Sequence, residues 1–248
     1  MRVVPQHARW RWERHVRFLQ ARLSPQGYMG LHLTVGVAVI LLSGWCFTQL
    51  AGEIAEGDLA RLDEGAVAFV QSYANPAVTQ AARIVSSFGS VAFLTVASFV
   101  AAAVFLWKRW FDAILGLALT MLGGSLLNVL LKQLFQRQRP VFETPLVNLS
   151  TFAFPSGHTM GATLFYMFIA AVVAYAMKSR RIRVLAFGSA LVLVAMIGMT
   201  RIYLGAHFVT DVVGAIVAGV AWLAFCWTAV ETLRKWRKGE RKRQLARS

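Results

Sequence analysis

Six stretches of this 248-residue chain are each apolar over a length that matches a bilayer, at residues 31–51, 90–107, 111–131, 160–177, 184–204 and 208–228. In hydrocarbon the backbone has no water to bond, so a run of roughly 20 apolar residues is stable only as a helix that satisfies its own N–H and C=O groups. None of the runs alternates apolar and polar residues with period two, which excludes a barrel. The expected fold is therefore all-α, a polytopic membrane protein built as a six-transmembrane-helix bundle. Composition agrees: 57% hydrophobic and 15% charged residues is too apolar for an ordinary soluble domain. A 30-residue polar stretch precedes the first run, so that run reads as a retained anchor rather than a signal peptide. Cys46 and Cys226 both fall inside apolar runs and read as small packing residues.

Basic residues orient the bundle, because short loops rich in lysine and arginine stay on the cytoplasmic side. With six spans both termini share one side. That side collects 20 of the 26 basic residues and the other only 6, so both termini are expected to be cytoplasmic. Residues 1–30 form a basic amphipathic leader, 31–230 the six-span domain and 231–248 a basic tail, expected to fray. In the leader, Trp12, Val16, Leu19 and Leu23 recur at helical spacing between arginines, the pattern of an interfacial helix; a solvated leader is the other reading. The formal charge of +15 sits at span ends and in the tails, where membrane lipids with anionic headgroups explain it and nucleic acid does not.

Three polar segments interrupt this pattern, and the six-span topology brings them to one level on the outer face. They are "KQLFQRQRP" at residues 132–140, "FAFPSGHTM" at 152–160 and "TRIYLGAHFVTD" at 200–211. His207 and Asp211 stand at i and i+4 and share a helix face, and a carboxylate at that depth needs a partner. Lys132, Arg139 and Arg201 can neutralise the oxygens of a phosphate. The start of the fourth span adds free N–H groups and a helix dipole, with Gly157 allowing close approach and Ser156 a hydroxyl donor. Of two histidines, one can serve as nucleophile and the other as the acid that protonates the leaving oxygen, while Asp211 accepts from one ring nitrogen of His207. Taken singly, Lys132 also reads as a snorkelling helix-end lysine, Arg137 and Arg139 as a solvated loop, and Pro155–Ser156 as a capped helix start.

The segments K-x6-R-P, P-S-G-H and R-x5-H-x3-D resemble, in order and spacing, the three signatures of the type 2 phosphatidic acid phosphatase superfamily, which also includes vanadium haloperoxidases. The resemblance covers the chain from the third span to the sixth. It implies His207 as the nucleophile that becomes phosphorylated, Asp211 as its orienting partner, His158 as general acid, and Lys132, Arg139, Arg201, Ser156 and Gly157 as the phosphate-binding set. One departure stands out: Thr200 occupies a position where the family usually has serine. In the bacterial membrane branch the resemblance implies a multi-pass inner-membrane enzyme that hydrolyses lipid phosphates, with its active site on the periplasmic face. The substrates implied are undecaprenyl diphosphate, phosphatidylglycerophosphate, phosphatidic acid or lipid A phosphate.

Of the eleven acidic residues, five lie between Glu53 and Glu64, and only Asp211 and Glu143 stand near the outer-face motifs. The carboxylates of a two-metal phosphatase are missing, so neither metal nor cofactor is expected. The segment from Leu62 to Gly89, with Phe69, Tyr73, Ile84 and Val85, reads either as an outer-surface element that admits a lipid or as a packing loop. A lipid phosphotransferase would carry the same residues. The rival from another class, an anion or lipid transporter, explains buried charge but not a histidine with a carboxylate one turn away and a second histidine opposite.

Overall fold

The computed structural model describes residues 31–141 and 151–245, and is helical throughout its regular elements. The leader at 1–30 and Glu143 lie outside the described residues. The first helix, α1, runs over Leu31–Glu56. Two short helices follow, α2 (Ala60–Gln71) and α3 (Pro76–Ser87), then α4 (Val91–Trp107). Helices α5 (Phe111–Ala118) and α6 (Gly124–Phe135) are one continuous span joined through a π-helical turn at Leu119–Gly123. The last three helices are α7 (Gly157–Ala176), α8 (Arg180–Tyr203) and α9 (Val209–Leu245).

Among the described residues five units meet the length and apolarity of a membrane span, namely α1, α5–α6, α7, α8 and α9, and the pair α3–α4, bent by 41°, makes a sixth when its two limbs are counted as one span. The bend has a local cause. Asn75 caps α3 by accepting from Val78 N at 2.9 Å with proline at the first helical position, and Ser90 caps α4 by accepting from Phe93 N at 3.2 Å. Two independently capped starts break one apolar stretch into two axes. The expected run at 90–107 is thus only the second limb of this span.

Helix α7 is the axis of the bundle. Thr159, Met160, Ala162, Thr163, Leu164, Phe165, Phe168, Ala170 and Val172 are all buried, around nearly its whole circumference, with α4, α5–α6, α8 and α9 as neighbours. Without a hydrophobic force between helices in lipid, close packing needs small residues at the contacts. A Cβ on Gly36 of α1 would come 2.0 Å from Thr228 Oγ1 of α9, and one on Gly123 would come 2.4 Å from the Trp222 ring. The π turn serves this second contact, since Trp222 Nε1 donates to the Leu119 carbonyl at 3.2 Å.

The two ends of the bundle differ in content. The C-terminal ends of α6 and α8 and the N-terminal ends of α7 and α9 meet at one end, which carries all three polar segments. The start of α1 and the far end of α9 meet at the other, where His32 Nδ1 lies 2.8 Å from Lys235 Nζ. The basic tail, expected to fray, instead continues α9 as regular helix to Leu245. The segment from Leu62 to Gly89 is neither a loop nor wholly peripheral: Phe69, Tyr73 and Ile84 are exposed, while Asp63, Val67, Ala82 and Ser86 are buried against the polar end.

Candidate active site

Helix α6 ends because Gln136 adopts a left-handed conformation (φ 44°) and donates its N–H to the Lys132 carbonyl at 3.0 Å. The chain then doubles back, so that Arg137 and Arg139 return over the helix end beside Lys132. Lys132 Nζ donates to the Phe152 carbonyl and lies 3.4 Å from that of Ala153. Arg139 donates from Nε to Thr151 O at 2.6 Å and from Nη1 to Ala206 O at 2.5 Å. These cations therefore pin the approach to P-S-G-H and the approach to His207 at once.

The P-S-G-H segment is seated from below by Phe154, which is fully buried between Phe47 and Phe135 at ring-centroid distances of 5.5 and 5.1 Å. Ser156 N donates to the Asp211 carbonyl at 3.1 Å, which ties the start of α7 to the start of α9. Met160 N is the first to find a carbonyl within α7, that of Ser156 at 2.9 Å. The N–H groups of Gly157, His158 and Thr159 precede it, at the positive end of the helix dipole. A Cβ on Gly157 would press on Asn128 Oδ1 at 3.3 Å, so glycine keeps this turn low. The Ser156 hydroxyl is fully buried and pairs with Thr159 Oγ1 at 3.0 Å. His158, half-buried, lies within electrostatic reach of Arg201, His207, Arg139 and Lys132.

The spacing R-x5-H has a structural cause at the end of α8. Gly205 adopts φ 66°, with Gly205 N donating to Ile202 O at 2.9 Å and Ala206 N to Arg201 O at 3.0 Å. This paired arrangement is a Schellman turn, and it folds His207 back beneath the helix end that carries Arg201. Arg201 is buried; its Nη1 donates to Ser86 Oγ at 2.8 Å, while Nε has no partner among the described residues. Thr200 donates its hydroxyl to Ile197 O at 2.7 Å, within its own helix. The departure from serine is therefore absorbed locally.

His207 sits between a cation and a carboxylate. Its Nε2 lies 3.3 Å from Arg139 Nη1 and its Nδ1 3.4 Å from Asp211 Oδ2. The second contact is close enough for strong attraction but lacks the alignment of a good hydrogen bond, and Asp211 Oδ2 also accepts from Phe208 N at 2.9 Å. Burial pushes the His207 imidazole down to about 4, against the pull of Asp211 and with help from the charges of Arg139 and Arg201. The ring is therefore neutral at physiological pH. With its proton on Nδ1, towards Asp211, the Nε2 lone pair faces Arg139 Nη1, which can only donate to it, so a phosphate that draws Arg139 to its own oxygens uncovers that lone pair.

Two residues of this end escaped sequence reasoning. Arg137, read there only as part of a solvated loop, spans two buried carboxylates: Nη1 donates to Asp211 Oδ1 at 2.6 Å and Nη2 to Asp63 Oδ2 at 2.7 Å. Asp63, fully buried on α2, also accepts from Thr210 N at 3.1 Å and Thr210 Oγ1 at 2.5 Å. Arg137 further lies over the Phe208 ring at 4.5 Å. The only sequence signal was the cost of leaving a carboxylate such as Asp211 unpaired at that depth, which demands a cation without naming it.

The structure thus brings Lys132, Arg139, His158, Arg201, His207 and Asp211 together with the exposed N–H groups at Gly157, and sets the Ser156 hydroxyl one step behind them. A membrane-spanning helical bundle with a histidine–carboxylate pair inside a ring of cations defines a class: integral-membrane proteins built to handle a phosphate-like anion. The comparisons with known proteins sharpen the class to a family. Residues 113–235 match the model of the PAP2 superfamily. A transmembrane PAP2-type phosphatidylglycerolphosphate phosphatase from Bacillus subtilis superimposes with a TM-score of 0.69 at 30% identity, over 77% of this chain and 93% of that one. Phosphatidylglycerophosphatase B of Bacillus subtilis (strain 168) is 36% identical over 127 residues, 49% of this chain and 59% of the relative, so the alignment spans less than two thirds of that protein's length. LpxE of Aquifex aeolicus shares the fold, with a TM-score of 0.52 at 23% identity over 67% of this chain and 94% of that one. The chain belongs to the PAP2 superfamily.

Proposed function

We propose that the protein is an integral-membrane lipid phosphate phosphatase that works through a phosphohistidine, with phosphatidylglycerophosphate as the first substrate to test. The observation that carries this reading is the neutral, buried His207 ring held between Arg139 and Asp211. Its Nε2 attacks phosphorus in line with the leaving oxygen. The phosphoryl oxygens are met by Lys132, Arg139, Arg201 and the N–H groups that open α7. As the P–O bond breaks, His158, which takes up a proton when the anionic phosphate enters among the surrounding cations, gives that proton to the lipid oxygen. Asp211 stabilises the charge that develops on the His207 ring, and Arg137 with Asp63 keeps Asp211 in that orientation. His158, now neutral, takes a proton from water as the water attacks the phosphohistidine, which returns both histidines to their starting states.

The names carried by the two Bacillus relatives support phosphatidylglycerophosphate over the other lipid phosphates. The basic asymmetry, 20 residues at the end of the termini against 6 at the end of the site, supports an active site on the outer face of the plasma membrane. The test is rapid-quench labelling with a ³²P-labelled lipid. Acid-labile, base-stable label on the wild type and none on His207→Ala is the expected result, and label that persists in His207→Ala would assign the nucleophile elsewhere. An impermeant thiol reagent checks the side: in a cysteine-free background a cysteine at Gln138 should react from outside intact cells and one at Ser179 should not.

A further inference from the structure

The end of the bundle away from His207 contains a cavity of about 630 Å³ that the proposed reaction does not use. Along α7 the first residue to line it, Phe168, stands 11 residues beyond Gly157, about 16 Å of helix from the end that holds His207. The cavity's floor is apolar, with Phe168, Val172 and Trp227; its rim carries Arg109, Arg234, Arg237 and Lys238 against two carboxylates, Asp112 and Glu231. A net positive rim over an aromatic floor suits a molecule with an anionic head and an apolar body.

Three further observations set it apart from a chance gap between helix ends. Arg109 closes the turn between α4 and α5 in a left-handed conformation (φ 57°), held by Arg109 N to Leu106 O at 2.9 Å and Trp110 N to Phe105 O at 2.8 Å. Glycine adopts that conformation without strain and arginine does not, so strain is accepted where a guanidinium faces the cavity. Helix α5 opens on the same cavity with Trp110 as a cap that makes no side-chain bond. The N–H groups of Phe111 and Asp112 precede the first intrahelical donor, Ala113, at the positive end of the helix. Finally, Arg234 and Arg237 stand 3.8 Å from Asp112, and Arg234 stands 3.5 Å from Glu231, distances of attraction rather than hydrogen bonding. Their N–H groups are oriented but not saturated, and Arg234 is stacked on Tyr175 at 4.6 Å.

We propose that this cavity is a binding site for an anionic phospholipid of the leaflet opposite the catalytic one. The phosphate lies among Arg109, Arg237, Lys238 and the start of α5, and an acyl chain covers the exposed Phe111 and Tyr175 and the half-buried Trp227, above the buried Phe168 and Val172. A soluble anion would leave those exposed rings uncovered, and a zwitterionic lipid would bring its own cation to an already positive rim. Cavities of this kind, basic at the interface and apolar below it, are where anionic headgroups bind between membrane helices.

Native mass spectrometry of the full chain, titrated with phosphatidylglycerol or phosphatidylcholine of matched acyl chains, tests the site. One phosphatidylglycerol should stay bound at collision energies that strip phosphatidylcholine, and Arg237→Gln/Lys238→Gln should lower that retention about tenfold. Arg109→Gly removes a rim cation while relieving its backbone strain, so it should fold at least as well as the parent and still lose retention several-fold. Equal retention of the two lipids by the wild type, or undiminished retention in both variants, would overturn the proposal. Thermal stabilisation by inorganic phosphate that is as large as that by phosphatidylglycerol, and that disappears in Arg237→Gln/Lys238→Gln while the catalytic-end residues are intact, would reassign the site to a soluble anion and overturn it equally.

Discussion

The two ends of the bundle use the same residue types to opposite effect. Around His207 three arginines are held by protein acceptors at 2.5–2.9 Å: Arg137 by two carboxylates, Arg139 by main-chain carbonyls, Arg201 by Ser86. At the other end Arg234 and Arg237 approach their carboxylates only to 3.5–3.8 Å around an open cavity. Locked cations have met their reorganisation cost during folding, which is what transition-state stabilisation requires. Loosely paired cations keep donors for a ligand that arrives later. In the two proposals made above, the same charge thus serves as scaffolding for the reaction in one place and as an adaptable rim for a lipid in the other.

Variants can break or sharpen this contrast. The largest effect is expected from His207→Ala, which removes the proposed nucleophile and should take phosphate release below detection. Next comes Asp211→Asn, expected to lower kcat by roughly 10²–10⁴-fold with KM little changed, the scale on which an orienting carboxylate matters in a hydrolytic triad. Asp63→Asn should cost about 10- to 100-fold in kcat, the kinetic equivalent of the roughly 1–3 kcal/mol that an unsatisfied buried partner costs. It should cost almost nothing further in the Asp211→Asn background if Asp63 acts through Arg137 on Asp211. Additive losses in the double variant, measured by kcat alongside Tm, would show instead that Asp63 only supports the fold.

A smaller effect is a displacement of the pH profile. Because burial holds His207 at about 4, below the ordinary value of about 6.5, the nucleophile should stay neutral as the medium is acidified. The acid limb of kcat/KM should therefore fall nearer pH 4 to 5 than pH 6.5. The same depression makes stability fully present above pH 6.5 and lost as pH falls towards 4, since the unfolded chain binds the proton first. Parallel thermal melts at pH 7 and pH 5, with His207→Ala as control, read this contribution. The smallest effect belongs to the other end: Arg237→Gln/Lys238→Gln should leave kcat within about twofold on a soluble short-chain substrate, the ordinary reach of a surface charge change.

The motif residues were legible because their spacing is local and each motif binds its neighbours through turns that the sequence announces. Gly205 marks the Schellman turn that brings His207 back, and proline, serine and glycine mark the start of α7. Asp63 was not legible. It stands in the acidic stretch between Glu53 and Glu64, indistinguishable there from solvated residues, and its partner Arg137 is 74 positions away. Arg137 was hidden by company of another kind, two residues before an arginine whose motif already accounted for it. The six-span reading held because apolar length is a property of each segment alone. The bend between α3 and α4 and the helical continuation of α9 escaped it, since caps at Asn75 and Ser90 divide an apolar stretch and a basic run can stay helical when its first turns are packed.

Helix α9 has 37 residues, about 55 Å at 1.5 Å each, against a hydrocarbon layer of about 30 Å. Its final turns therefore project from the membrane as a stiff mast rather than a loose string. A fluorophore attached near Leu245 would ride at a fixed height above the lipid surface, with a narrow distribution of energy-transfer distances to a dye in the headgroup layer. A probe on a flexible tail would sample the surface itself. The mast gives the molecule a built-in ruler, against which the tilt of the whole bundle in bilayers of different thickness can be read.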